Sequence, residues 1–140
     1  MKKLRLEFGD IVWAKLNGED HVQNGTRPSV IVQNNKGNHY GTTTQVIPLT
    51  SKLDKAKLPT HAVVPKSQLT GLKKTSIAQC EGARLVSQFD ILGKIGKLNA
   101  EHMKEIAECW LVNNPLLIFF TGEELIQLQK RLIQSNKIYN

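Results

Sequence analysis

Short apolar runs separated by turn residues fill the first two-thirds of the chain, and a helical spacing replaces them afterwards. Ile11 to Leu16 alternates imperfectly around Trp13 and predicts a first strand. Val30-Ile31-Val32 is instead a continuous β-branched run, the pattern of a strand covered on both faces. Pro28 biases Arg27 toward extended angles, so that arginine stands where loop becomes strand. Thr42 to Ile47, Ala62-Val63-Val64, Ser76 to Cys80 and Ala83 to Ser87 read as further strands, with Gly82 as a bend or bulge between the last two. Pro48 implies an edge or the end of its strand, and Asn34 to Asn38 carries a strong turn signal. About six short strands at this spacing predict a small twisted antiparallel barrel.

The ending is helical. Asn99 can cap a helix whose apolar positions are Met103, Ile106, Ala107, Trp110 and Leu111, with Leu98 and Met103 placed as a hydrophobic staple. Pro115 ends it. A second helix starts at Thr121, where Glu124 completes a capping box and Phe120 with Leu125 forms a staple. Its apolar stripe comprises Leu125, Leu128 and Leu132 with Ile126 and Ile133. The fold class is therefore mainly β with C-terminal helices.

A length of 140 residues suits one domain with its own core. No stretch has the apolar length of a membrane span. The basic opening Met1-Lys2-Lys3-Leu4-Arg5 meets Glu7, Gly9 and Asp10 before a signal region can form, which predicts a cytoplasmic chain. Cys80 and Cys109, the only two cysteines, read as reduced thiols of the core.

Charge changes the picture more. The net charge is +7, and it is uneven. Residues 1–97 hold 15 Lys/Arg against 7 Asp/Glu, or +8, and residues 98–140 hold 4 against 5, or −1. The basic β-rich part calls for a polyanionic partner, nucleic acid or an acidic protein.

Four stretches in order carry a family resemblance. They are Gly9-Asp10-Ile11-Val12-Trp13-Ala14, then Gly25-Thr26-Arg27-Pro28, then Val46-Ile47-Pro48-Leu49-Thr50-Ser51-Lys52, and Lys57-Leu58-Pro59-Thr60-His61. Followed by Glu81 and Arg84, they resemble the MazF/PemK toxin endoribonucleases of type II toxin–antitoxin systems over roughly residues 8 to 112. The resemblance implies an SH3-like barrel of the MazF/CcdB type within residues 1–118, with 119–140 as an additional helix on which it is silent. It implies a cytoplasmic homodimer that cleaves single-stranded RNA and is silenced by an acidic antitoxin, with no membrane partner, no metal and no cofactor.

It also implies roles. Arg27 and Thr50 match the catalytic positions. Gln23, Gly25, Thr26, Ser51, Lys52, Glu81 and Arg84 match RNA-binding ones. Where the family commonly has Ser-Glu-Gln, this chain has His21-Val22-Gln23, so only Gln23 carries over. Gly82 and Ala83 replace a Gln and an Ile, removing a base-reading side chain.

The residues themselves suit metal-independent RNA cleavage. The substrate supplies its own nucleophile, the ribose 2′-OH, adjacent to the phosphate it attacks. Arg27 offers two parallel donors to two oxygens, and Thr50 a hydroxyl to a non-bridging oxygen. Arginine does not readily lose a proton, so charge stabilisation rather than base catalysis is its role. Glu81 can orient Arg27, read a base, or stand outward as a structural carboxylate. The lysines near Ser51 line a phosphate track or a solvated surface, and His61 titrates usefully or is held by its neighbours. His21, His39, His61 and His102 have no metal-site spacing, and neither a phosphate-binding Gly-rich loop nor a Gly-x-Ser-x-Gly elbow is present. Two competing functions remain at this level: a CcdB-like gyrase-binding toxin without nuclease activity, and a non-cutting RNA-binding relative.

Overall fold

The computed structural model describes residues 4–17, 25–53 and 58–136. Seven strands form a mainly antiparallel sheet: β1 (Asp10–Leu16), β2 (Gly25–Ile31), β3 (Thr43–Thr50), β4 (His61–Val64), β5 (Ser76–Gln79), β6 (Arg84–Ser87) and β7 (Ile91–Lys97). A short helix α1 (Asn35–Tyr40) joins β2 to β3, and α2 (Ala100–Asn113) and α3 (Gly122–Ser135) close the chain. The strand order is β4-β5-β3-β2-β1-β7, with β6 also pairing β3.

β3 is the hinge of this arrangement. Its first half pairs β6 through Val46↔Arg84, and its last residues pair β5 through Leu49↔Ala78 and Thr50↔Ile77. Ile47 and Pro48 fall between the two registers, beside the 3-10 turn Cys80–Gly82. Pro48 is thus inside a central strand rather than at its end, in the gap of the ladder where a missing N–H is tolerated. The sequence also places Glu81 on a strand; it lies in that 3-10 turn instead.

The continuous run of β2 is buried on both sides, as its pattern predicts. Val30 belongs to one core cluster with Ile11, Ile47, Leu49 and Leu98, onto which α2 adds Met103 and Ile106. Ile31 belongs to the other, with Leu6, Val12, Leu16, Val46 and Val86. Both helix caps form as expected. Asn99 accepts from the His102 N–H at 2.9 Å, and the Thr121–Glu124 capping box is complete.

Three elements go beyond what the sequence pattern specifies. The turn signal at Asn34 to Asn38 becomes α1, because the Asn34 side chain caps it by accepting from the Gly37 N–H at 2.8 Å. β7 had no clear signal, since Gly93 and Gly96 dilute its β-branched character; at Gly96 a side chain would collide with the Leu69 and Thr70 carbonyls. α3 buries none of its residues, and Ile126, Leu132 and Ile133 are exposed. It returns to the barrel at its end, where the Asn136 side chain accepts from the Asn35 N–H at 2.9 Å.

α1 is anchored by a buried polar cluster. The Asn38 side chain accepts from Thr44 Oγ1 at 2.7 Å and Gln33 Nε2 at 3.2 Å, and donates to the Gln33 carbonyl at 2.9 Å. Asn38→Ala orphans the Thr44 hydroxyl and the Gln33 carbonyl. Each unsatisfied group costs roughly 1–3 kcal/mol, so the loss should reach about 3 kcal/mol. Urea denaturation measures it, with an unchanged m-value expected.

Candidate functional site

The register of β2 against β3 decides which side chains meet. Ser29 pairs Pro48, Val30 pairs Ile47 and Ile31 pairs Val46. The pairing ends at Ser29↔Pro48, and Arg27 and Thr50 lie two residues beyond it, near the start of β2 and at the end of β3. A cavity opens there, lined by Thr26, Arg27 and Pro28 on one side and Leu49 and Ser51 on the other.

Thr50 is buried. Its Oγ1 accepts from the Lys52 N–H at 3.2 Å. A lone pair thus holds the turn, and the hydroxyl proton remains available to donate. Arg27 is half-buried on a strand that is wholly buried from Ser29 onward, so the root of its side chain is fixed.

Arg84 approaches from β6. Its Nε donates to the Gly82 carbonyl at 3.1 Å. Burial lowers the guanidinium's pKa below the usual arginine value, and the charge of Arg27 lowers it further. Two guanidinium groups therefore lie within each other's field, on a part of the barrel rich in positive charge. An anion that bridges them relieves the repulsion, and phosphate oxygens have the geometry to do so.

The other sequence candidates sort into three groups. Gly25, Thr26, Ser51 and Lys52 lie along the same two strand ends, Gly25 with φ +79°. Glu81 does not join them through its hydrogen bonds: its Oε2 accepts from Thr60 Oγ1 at 3.2 Å and from His61 Nε2 at 2.9 Å. Gln23 lies outside the described residues.

His61 is fixed by its neighbours. It is buried, its Nδ1 accepts from the Leu58 N–H at 3.4 Å, and its carbonyl accepts from the Cys109 thiol at 3.2 Å. Neither cysteine is in a disulfide. Burial, then Cys109 and Glu81, push the Cys80 thiol up to about 12, which keeps it protonated and inert. Among the described residues no three His, Cys, Asp or Glu side chains gather as a metal site would require, and no helix is long and apolar enough to cross a membrane. Trp13 is the functional candidate that strand reading alone passes over, although it is large and 44% exposed beside Arg27.

Comparison with known proteins identifies the family and the fold. The family model described as a PemK-like, MazF-like toxin of type II toxin-antitoxin system matches residues 7–111. The Endoribonuclease MazF of Staphylococcus saprophyticus subsp. saprophyticus is 36% identical over 99 residues, which cover 70% of this chain and 82% of that protein. The crystal structure of MazF (Form-I) from Deinococcus radiodurans superposes with a TM-score of 0.69 at 17% identity, over 80% of this chain and 98% of the other. An endoribonuclease in complex with its cognate antitoxin from a mycobacterial species superposes with a TM-score of 0.66 at 18% identity, over 79% and 96%. At such identities the superpositions speak for the fold.

Mutual repulsion of Arg27 and Arg84 makes a direct expectation. Inorganic phosphate at a tenfold excess over its Kd should stabilise the protein by about 1.4 kcal/mol. Calorimetry at fixed ionic strength should find this gain reduced in Arg84→Met and in Arg27→Ala. An equal gain in all three proteins would mean that phosphate acts elsewhere.

Proposed function

The chain belongs to the PemK/MazF family of type II toxins, and from that premise we propose that it is a metal-independent endoribonuclease cutting single-stranded RNA. The observation that supports this reading is the β2–β3 pairing, which ends at Ser29↔Pro48 and leaves Arg27 and Thr50 two residues beyond it on neighbouring strands. The ribose 2′-oxygen attacks the adjacent phosphorus while the bond to the 5′-oxygen breaks. The products are a 2′,3′-cyclic phosphate and a 5′-hydroxyl. Arg27 stabilises the negative charge that grows on the non-bridging oxygens, and Thr50 donates its hydroxyl proton as a hydrogen bond to one of them. Arg27 keeps its own proton throughout. The 2′-OH proton is given up to the substrate or to water, and the departing 5′-oxygen takes one up by the same route, so the charge and proton count balance.

Gly25, Thr26, Ser51, Lys52 and Arg84 bind the flanking phosphates, and Gln23 and Glu81 complete the family's set of RNA contacts. In this reading Glu81 acts from its place beside Thr60 and His61. The active form is a homodimer, in which two basic faces make one continuous track. An acidic antitoxin segment folding across that track would silence it, with the +8 charge of residues 1–97 speeding the encounter. Such a toxin works in the cytoplasm, where its RNA is. A gyrase-binding toxin would have no need of either Arg27 or Thr50.

Arg27→Ala and Thr50→Ala should each lower cleavage of a long unstructured RNA by about 100- to 1,000-fold, the usual effect of removing one transition-state donor. The fold should survive, because neither change opens the apolar core. Thr50→Ser should be milder. RNA with 2′-deoxyribose at the cut position should bind and stay intact, and chelator should change nothing. Full activity of Arg27→Ala, or cutting of the deoxy substrate, would discard the mechanism.

A further inference from the structure

The C-terminal segment leaves apolar surface open that the barrel does not cover. It comprises the 3-10 turn Leu116–Phe119 and the helix α3 that follows. Ile118 and Phe119 are 77% and 78% exposed, and Phe120, Ile126, Leu132 and Ile133 are each open by about half. Large apolar side chains open to this degree make a patch on the order of several hundred Å², the size that marks an interaction site. α3 buries none of its residues. Its apolar positions Leu125, Ile126, Leu128, Leu132 and Ile133 recur at helical spacing as one stripe. Where the helix returns to the barrel, Leu132 and Ile133 line a cleft of about 320 Å³ with Phe8 and Val32, and no charged side chain lines it.

The charges of α3 are ordered along its axis. Glu123 and Glu124 lie in the first turn, and Lys130 and Arg131 follow seven residues later. Glu123 and Lys130 border the stripe on the side of Ile126 and Ile133, whereas Glu124 and Arg131 border it on the side of Leu128. Seven residues span about 10 Å of helix, too far for either acid to meet its base within one chain. Among the described residues neither Lys130 nor Arg131 has an ion-pair partner.

We propose that this surface joins two copies of the chain, with the α3 helices side by side and antiparallel about a two-fold axis near Gln127. Glu123 then lies beside the partner's Lys130, and Glu124 beside the partner's Arg131. Two-fold symmetry forms each contact twice. A parallel pair would set like charges together. The same alignment brings Phe119 and Phe120 to the end of the partner's helix, beside the cleft that the partner's Leu132 and Ile133 line. RNA and acidic proteins find no matching attraction here, because residues 98–140 carry −1 while residues 1–97 carry +8. The family model ends at residue 111, so this surface is additional to the barrel. Pairing through α3 rests on the homodimer reading for the number of copies and is independent of RNA cleavage.

Sedimentation equilibrium of the full chain measures the dimer Kd. Glu123→Lys and Lys130→Glu each turn two attractive pairs into repulsive ones and spare the Thr121–Glu124 capping box. Each should weaken the dimer about 10-fold. An equimolar mixture of the two should recover the parental Kd as a mixed dimer, and so should the double reversal. Ile126→Glu should weaken the dimer at least as much and find no rescue in either mixture. Circular dichroism should show parental helix content in every variant.

A dimeric parent with parental Kd in both single reversals would overturn pairing through α3 and leave the homodimer to the barrel. A parent that stays monomeric would overturn both. A mixture no tighter than its components would also overturn the pairing. RNA or an acidic peptide that binds Glu123→Lys more tightly and Lys130→Glu more weakly, with Kd parental, would overturn it by assigning the face to that partner. Absence of RNA cleavage by the parent, with the mixture still rescued, would remove the nuclease and keep the pairing.

Discussion

The pairing of β2 with β3 is the constraint on which the rest depends. Ser29↔Pro48 and its neighbours are locked because both faces of the pair are buried, one against the α2-side cluster and one against the Leu6–Val12–Val46 cluster. A slip by a single residue would exchange every side chain between the two faces, putting Ile31 where Val30 belongs. The cost of that misfit, spread over two cores, fixes the strands from which Arg27 and Thr50 project, two residues beyond the last pair. The root of a half-buried arginine is thus set by buried valines and isoleucines several residues away.

Electrostatics then acts on a fixed frame. Arg84 is brought in by β6, whose pairing with β3 ends at Val46, and its burial already works against its charge. Folding tolerates this because the cost is set against a large apolar core. Arg27 and Arg84 lie within each other's field, and an anion binding there recovers part of the cost. The helical end, with no net positive charge, adds nothing to this field.

Much of this was legible in the sequence, for reasons that can be named. Val30-Ile31-Val32 declared a doubly covered strand, and Asn99 and Thr121 declared their caps, because these signals depend on a few adjacent residues. Arg27 and Thr50 stood out through the motifs around them. What stayed hidden depends on distant partners. Pro48 looked like a strand end because nothing local shows that β3 changes neighbours from β6 to β5 at that point. β7 was unsignalled because its two glycines dilute the strand pattern, and Gly96 answers to the Leu69 and Thr70 carbonyls of a remote loop. The carboxylate of Glu81 had three readings until Thr60 and His61 were seen to bond it. The apolar stripe of α3 left open whether that helix packs on the barrel or trails it, and much of it is open, since amphipathicity states what a helix can cover and not what is there to be covered.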